Sequence, residues 1–302
     1  MPFFDLSGTF SRIRLFGSTR LDFLHRMSTG DVRGLRPGEG KTTVLTTPIG
    51  RMVDYLTVLT FDDSALLIGG GGNQDKVLRW LRKYIFFNDD VRVSDETAET
   101  RMFGLSDDTG ADLIALLGGD AVAPSLPEHA HRTVALSSGG AEVTLVRAPR
   151  ALGLSFFVIG RDFDPAAWPG EVVDGQGFEA WRVARGYPLF PNEINEDHIP
   201  LEAGLWGAVS FNKGCYTGQE VIARMESRGQ IARKLVLLIG DEAELLEIGA
   251  DLLSEGGEMA GRVTSAARGA ALAYVRSAFA QEGALLRSQH GQVARVARIV
   301  RI

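Results

Sequence analysis

The chain holds a single cysteine, Cys215, in the stretch VSFNKGCYTGQEVIARMESRG. An apolar run, Val209 to Phe211, leads through Asn212, Lys213 and Gly214 to the thiol. Thr217 followed three residues later by Glu220 has the form of a capping box, which predicts a helix from about Thr217 to Gly229. Cys215 then stands just before a helix N-terminus and close to Lys213. Partial positive charge at a helix end and a nearby ammonium both favour the thiolate, the form that attacks electrophiles and binds metals. The competing reading is a buried cysteine acting as a small hydrophobe. Phe211 to Val236 carries Lys213, Arg224, Arg228, Arg233 and Lys234 against Glu220 and Glu226, a basic stretch in a chain of net charge −6. Such a stretch either receives the anionic tail of a ligand or is a solvated helix face.

Several elements must position these groups. STRLDFLHRMST, from Ser18 to Thr29, places Leu21, Phe23, Leu24 and Met27 at mostly helical spacing, with Ser18 or Thr19 as cap and Gly30 as stop. KTTVLTT, RMVDYLTVLTF and ALLIGG read as an antiparallel meander, and NQDKVLRWLRKYIF as an amphipathic helix with Val77, Leu78, Leu81 and Ile85 on its apolar face. Residues 91 to 160 alternate short strands with turns and hold one expected helix near Ala111 to Leu117. GFEAWRVARGYP reads as a helix closed by Gly186 and Pro188. From Arg233 onward KLVLLIG, AGRVTSAA, GAALAYVRS and VARVARIVRI are strand-like, which predicts a small barrel or sandwich. The order is that of a mixed antiparallel α+β protein rather than of βαβ units.

Length and composition set the outer bounds. With 302 residues, 45% of them hydrophobic and 23% charged, the chain can bury a sizeable core and divides into two or three domains. One cysteine excludes an intramolecular disulfide and cannot alone furnish a structural zinc site or an iron-sulfur cluster, so any cysteine chemistry needs a partner. The negative net charge argues against general nucleic-acid or anionic-membrane binding. MPFFDLSGTFSRIRLFG lacks a basic start followed by a long apolar run, and a cytoplasmic location with no membrane attachment is expected. Gly69 to Gly72 lacks the Lys-Ser/Thr of a phosphate loop and reads as a strand-to-helix turn. His129 and His131 read as a surface loop, and Arg295, Arg298 and Arg301 as outer positions of a terminal barrel strand.

KGCYTGQE closely resembles the signature of the YgfZ family, and RVARGYPLFPNEINEDHIPLEAGL resembles the matching region of the glycine-cleavage T protein through Arg182, Gly186, Pro188, Pro200, Glu202 and Leu205. Weaker similarity through FLHRMSTGDVRGL and GRMVDYL extends toward the N-terminus. The resemblance implies a T-protein-like region of two mixed antiparallel α+β subdomains over residues 1–230, the inner one at about 45–160, and a β-barrel over 231–302. It further implies tetrahydrofolate or a derivative as cofactor, with its glutamate tail toward basic residues, and a role in assembly or repair of iron-sulfur enzymes through client or assembly proteins. The matched signature makes Cys215, Lys213, Gly214, Tyr216, Gly218, Gln219 and Glu220 its members, with Cys215, Lys213 and Asp54 as the chemical groups. Asp54, Asn73, Arg182, Lys213, Gln219, Arg224 and Arg228 are the implied folate contacts.

Three positions depart from the T protein. Tyr55 replaces one of a pair of acidic residues, Ala184 stands where a pterin-binding glutamate is usual, and only Asn73 remains of an Asn-Ala-x-Asn pattern. A pterin edge left without partners costs about 1–3 kcal/mol for each unsatisfied group. The leading expectation is therefore a folate-binding accessory factor, and the alternative is a tetrahydrofolate-dependent aminomethyltransferase or methyltransferase.

Overall fold

Strand-like runs in the first half become β1 (Pro2–Asp5), β2 (Phe10–Phe16), β3 (Gly40–Thr46), β4 (Met52–Thr60), β5 (Ser64–Gly70), β6 (Arg92–Asp95), β7 (Arg101–Ser106), β8 (His131–Ala135), β9 (Glu142–Arg147), β10 (Leu154–Gly160) and β11 (Glu171–Val173). The structure is a computed structural model that describes residues 2–106, 126–136, 141–163, 165, 168, 170–229, 231–240 and 246–302. The helix expected near Ala111 to Leu117 lies outside the described residues. One sheet has the order β3-β4-β5-β2-β6, and another the order β11-β1-β7-β10-β9-β8, in which only the β1–β11 pair is parallel. The expected meander is thus present as three adjacent strands. Every residue of β5 is buried, which explains why it reads as a continuous apolar run instead of alternating.

Among the described residues the α-helices are α1 (Arg20–Met27), α2 (Gln74–Lys83), α3 (Gly175–Ala184) and α4 (Gln219–Arg228). In α2, Val77, Leu78 and Leu81 are buried as their spacing requires, while Ile85 falls beyond the last turn. Gly71 sits in the turn before α2, where a Cβ would lie 2.2 Å from the Gly8 carbonyl oxygen, so the turn needs glycine for packing and not for phosphate.

By packing, the chain divides into two compact units, residues 1–43 with 55–178, and residues 44–54 with 179–302. The first has an aromatic core of Phe3, Phe103, Phe156, Phe163 and Trp168, with Phe163 and Trp168 stacked at 5.7 Å between ring centres. Its buried Arg12 donates to the Thr100 hydroxyl at 2.7 Å and to the carbonyls of Phe10, Ser7, Thr97 and Thr100.

His129 lies in a turn, as expected, whereas His131 departs from the surface loop expected of the pair. His131 opens β8, is 3% exposed and packs on Phe61 at 4.6 Å between ring centres. The cause is long-range: β8 pairs with β9, so the side chain is set by register rather than by its polar neighbours in sequence. Burial lowers the pKa of His131 from 6.5, and burial likewise lowers that of His129. Below the unfolded value the unfolded chain binds a proton more readily than the native one, so their contribution to stability is intact above pH 6.5 and is lost as pH falls through and below it. Urea midpoints between about pH 7.5 and 5.5 should fall, and less steeply in His131→Leu; parallel profiles would contradict this.

In the second unit, β12 (Arg233–Gly240), β13 (Asp251–Leu253), β14 (Met259–Ala267), β15 (Ala270–Arg276), β16 (Leu285–Ser288) and β17 (Val293–Ile299) form a closed barrel in the order β12-β15-β14-β13-β16-β17. Val236, Leu238, Val263, Val275 and Val296 fill its interior together with Ala260, Ala271, Ala273 and Ala294, small side chains that suit a narrow lumen.

Candidate functional site

Cys215 is exposed, whereas the next residue, Tyr216, is buried in a cluster with Ile199, Leu201, Val209 and Ile222. One side chain anchors the segment and its neighbour is presented to solvent. Burial raises the Tyr216 pKa to about 12, so its phenol stays protonated. The Lys213 ammonium lies over the Tyr216 ring at 5.0 Å from its centre.

The helix after the thiol begins two residues later than the capping box predicts. Its N-cap is Gly218 at φ +84°, and no side chain caps it. The carbonyl of Thr217 instead accepts a hydrogen bond from the Thr46 hydroxyl at 2.6 Å. A Cβ on Gly218 would stand 2.7 Å from the Thr47 carbonyl oxygen and 2.9 Å from Gly50 Cα. The turn between β3 and β4 therefore packs directly on the cysteine motif and selects the left-handed glycine. At the other end Gly229 closes α4 as expected, at φ +59° with its N–H on the Glu226 carbonyl.

The remaining candidates separate by what holds them. Asp54 is buried in β4, at the foot of the same turn, and Gln219 opens α4. Arg224 is bound at 2.6 Å to Glu220 one turn earlier, so its charge is partly spent along the helix. Arg228 ends α4, and its side chain lies outside the described residues. Asn73 is buried in the first unit, where it is the N-cap of α2 without a side-chain capping bond.

Arg182 departs from the ligand contact implied for it. It is 1% exposed and spends all five N–H groups internally: two on Glu179, one on the Tyr187 carbonyl at 2.9 Å, one on Glu193 at 2.9 Å and one on the Ser265 hydroxyl at 2.7 Å. No donor remains for a folate carboxylate. Glu193, which the sequence did not single out, accepts also from Thr264, Ser265 and the Leu189 N–H, and the Tyr274 phenol donates to its carbonyl at 2.8 Å. Ser265 and Tyr274 belong to the barrel, far along the chain, which is why the network leaves no local motif.

Residues 2–148 match the GCVT N-terminal domain family. A putative chloroplastic transferase of Arabidopsis thaliana is 31% identical over 76% of this chain and 54% of that protein. An aminomethyltransferase of Chlorobium luteolum is 27% identical over 68% of this chain and 59% of that one. The tRNA-modifying protein YgfZ of Sodalis glossinidius is 28% identical over 80% and 72% respectively. The chain thus spans little more than half the length of the first two relatives. The crystal structure of the glycine cleavage system aminomethyltransferase T from Bartonella henselae is similar in fold, with a TM-score of 0.82 at 20% identity over 98% of this chain and 84% of that one. Over residues 2–148 this chain is similar to the GCVT N-terminal domain, and the whole chain has the aminomethyltransferase-like fold, with mixed α+β sheets and a closed six-stranded C-terminal barrel.

Proposed function

We propose that this protein binds a reduced folate and serves as an accessory factor in the synthesis or repair of iron-sulfur enzymes, with the Cys215 thiol as transient ligand or covalent partner of a client. The carrying observation is the presentation of Cys215: the thiol is exposed, and its segment is fixed by buried Tyr216 on one side and by the turn after β3 on the other. A cysteine kept only for packing would not be held outward in this way. Asp54, buried at the foot of that turn, is the carboxylate assigned to the pterin, and Lys213 and Gln219 are assigned to the folate as members of the KGCYTGQE motif. A folate at this site would supply a one-carbon carrier, while the chain's own part is to bury the pterin edge and satisfy its donors and acceptors.

Support for the accessory role comes from the cysteine motif and from the relative described as YgfZ. Cys215→Ser in a strain lacking the native gene should fail to restore iron-sulfur enzyme activity while accumulating to the wild-type level. Full restoration would remove the thiol from the mechanism.

A second reading, a tetrahydrofolate-dependent aminomethyltransferase, is favoured by the relatives of that name and by the shared fold. Ala184 and Tyr55 weigh against it, because each takes a polar partner from the expected pterin site. An assay for methylene-tetrahydrofolate formation from an aminomethyl-lipoyl carrier separates the two, and no turnover is expected. Among the described residues no helix is long and apolar enough to cross a membrane. We place the protein in the cytoplasm or, following the chloroplastic relative, in the interior of an organelle.

A further inference from the structure

Four arginines, Arg51, Arg233, Arg262 and Arg276, border a hollow of about 660 Å³ within the second unit, facing two acids, Asp197 and Glu202. Two of the arginines are accounted for internally. Arg262 lies across the strands from Asp251 and binds its carboxylate at 2.8 Å, and Arg51 donates to the Asp197 carbonyl at 2.7 Å with the Glu202 carboxylate 3.8 Å away. The other two differ. The register of β12 with β15 sets Arg233 directly opposite Arg276, both are exposed, and neither guanidinium has a hydrogen-bond or ion-pair partner among the described residues.

Like charges directly opposite each other on antiparallel strands destabilise the pair. Where the same barrel sets Asp251 opposite Arg262, the pairing is complementary; at Arg233 and Arg276 the counter-charge is missing. The neighbouring wall holds a second unsatisfied group. His198 is 7% exposed, lies flat on the Tyr274 ring with 3.4 Å between ring centres, and has no hydrogen-bond partner on Nδ1, the Glu202 carboxylate standing 3.7 Å off.

We propose that this hollow binds a small molecule carrying two or more adjacent oxyanion groups, a diphosphate or paired carboxylates, held by the Arg233 and Arg276 guanidiniums and bordered by His198. Planar guanidiniums match such groups by two parallel hydrogen bonds each, and the bound anion cancels the repulsion between them. None of Asp54, Asn73, Lys213, Cys215 and Gln219 lines the hollow, and of the basic stretch from Phe211 to Val236 only Arg233 does so among its charged residues.

The test uses the full chain with pyrophosphate and, separately, tricarballylate as probes, each against sodium chloride at equal ionic strength. Either probe should raise the melting temperature beyond the salt control, and the Arg233→Gln/Arg276→Gln variant should bind it at least about tenfold more weakly. Tighter binding of pyrophosphate assigns the site to phosphate esters, and tighter binding of tricarballylate assigns it to polycarboxylates. Without any probe, each single variant should melt at or above the wild-type temperature, since removing one arginine relieves the other; an arginine with a structural role would do the reverse. No shift beyond the salt control with either probe, unchanged affinity in the double variant, or lower melting of the single variants would each overturn the proposal.

Discussion

Arg182→Ala is expected to destabilise the second unit by about 3–5 kcal/mol, because it leaves the Glu193 carboxylate, itself fully buried, without its counter-charge. The alanine also removes one donor from the Tyr187 carbonyl and one from Ser265, whose hydroxyl links α3 to β14. Thr264 and Ser265 would still donate to Glu193, but two hydroxyls do not replace a guanidinium in a low-dielectric site. Chemical denaturation followed through the fluorescence of Trp181 and Trp206, both in the second unit, reads the loss. The double variant Arg182→Met/Glu193→Gln should be markedly less damaged than the two single losses combined, since no unpaired ion is left behind. A loss of under about 1 kcal/mol for Arg182→Ala would show that the network is not the fastener described here.

Gly218→Ala is expected to be the most damaging change within the cysteine motif, at about 2–4 kcal/mol. Two costs combine: a non-glycine residue at φ +84°, and a methyl group 2.7 Å from the Thr47 carbonyl oxygen and 2.9 Å from Gly50 Cα, neither of which is a flexible side-chain end. Relief requires the turn after β3 to separate from the motif, breaking the Thr46 to Thr217 hydrogen bond. Labelling of Cys215 by a thiol reagent should therefore change rate together with stability. Gly214→Ala is the control, because a Cβ there meets nothing within 4 Å and the backbone is not left-handed. It should stay within about 0.5 kcal/mol of wild type. Equal damage from both substitutions would mean that the motif, not its fit to the turn, is what matters.

Elements whose signal is local and periodic are legible in the sequence. The apolar face of α2, the meander of β3 to β5, the helix closed by Gly229 and four barrel strands all follow from spacing and turn residues. The barrel's other two strands, β13 and β16, span three and four residues and are too short to show alternation. The Thr217 capping box misled because the competing partner, Thr46, lies 171 residues away and takes the Thr217 carbonyl, while Gly218 takes the cap. His131 and Arg182 misled in the same manner. A histidine in a polar stretch looks available, and resemblance to the T protein implies that Arg182 is, but strand pairing with β9 in one case and Glu193 with Ser265 in the other bury them. Cys215 itself stayed open in the sequence between a presented thiol and a buried one, and the structure finds it exposed beside the buried Tyr216.

Calorimetric titration of the full chain with 5-formyl-tetrahydrofolate, beside Asp54→Asn, tests the folate assignment most directly. Saturable one-to-one binding is expected, with a stability gain of about 2.7 kcal/mol at a hundredfold excess over the dissociation constant and at least about tenfold weaker binding in the variant. No heat of binding and no melting shift with the wild-type chain would contradict the account and leave only a scaffold acting through protein contacts.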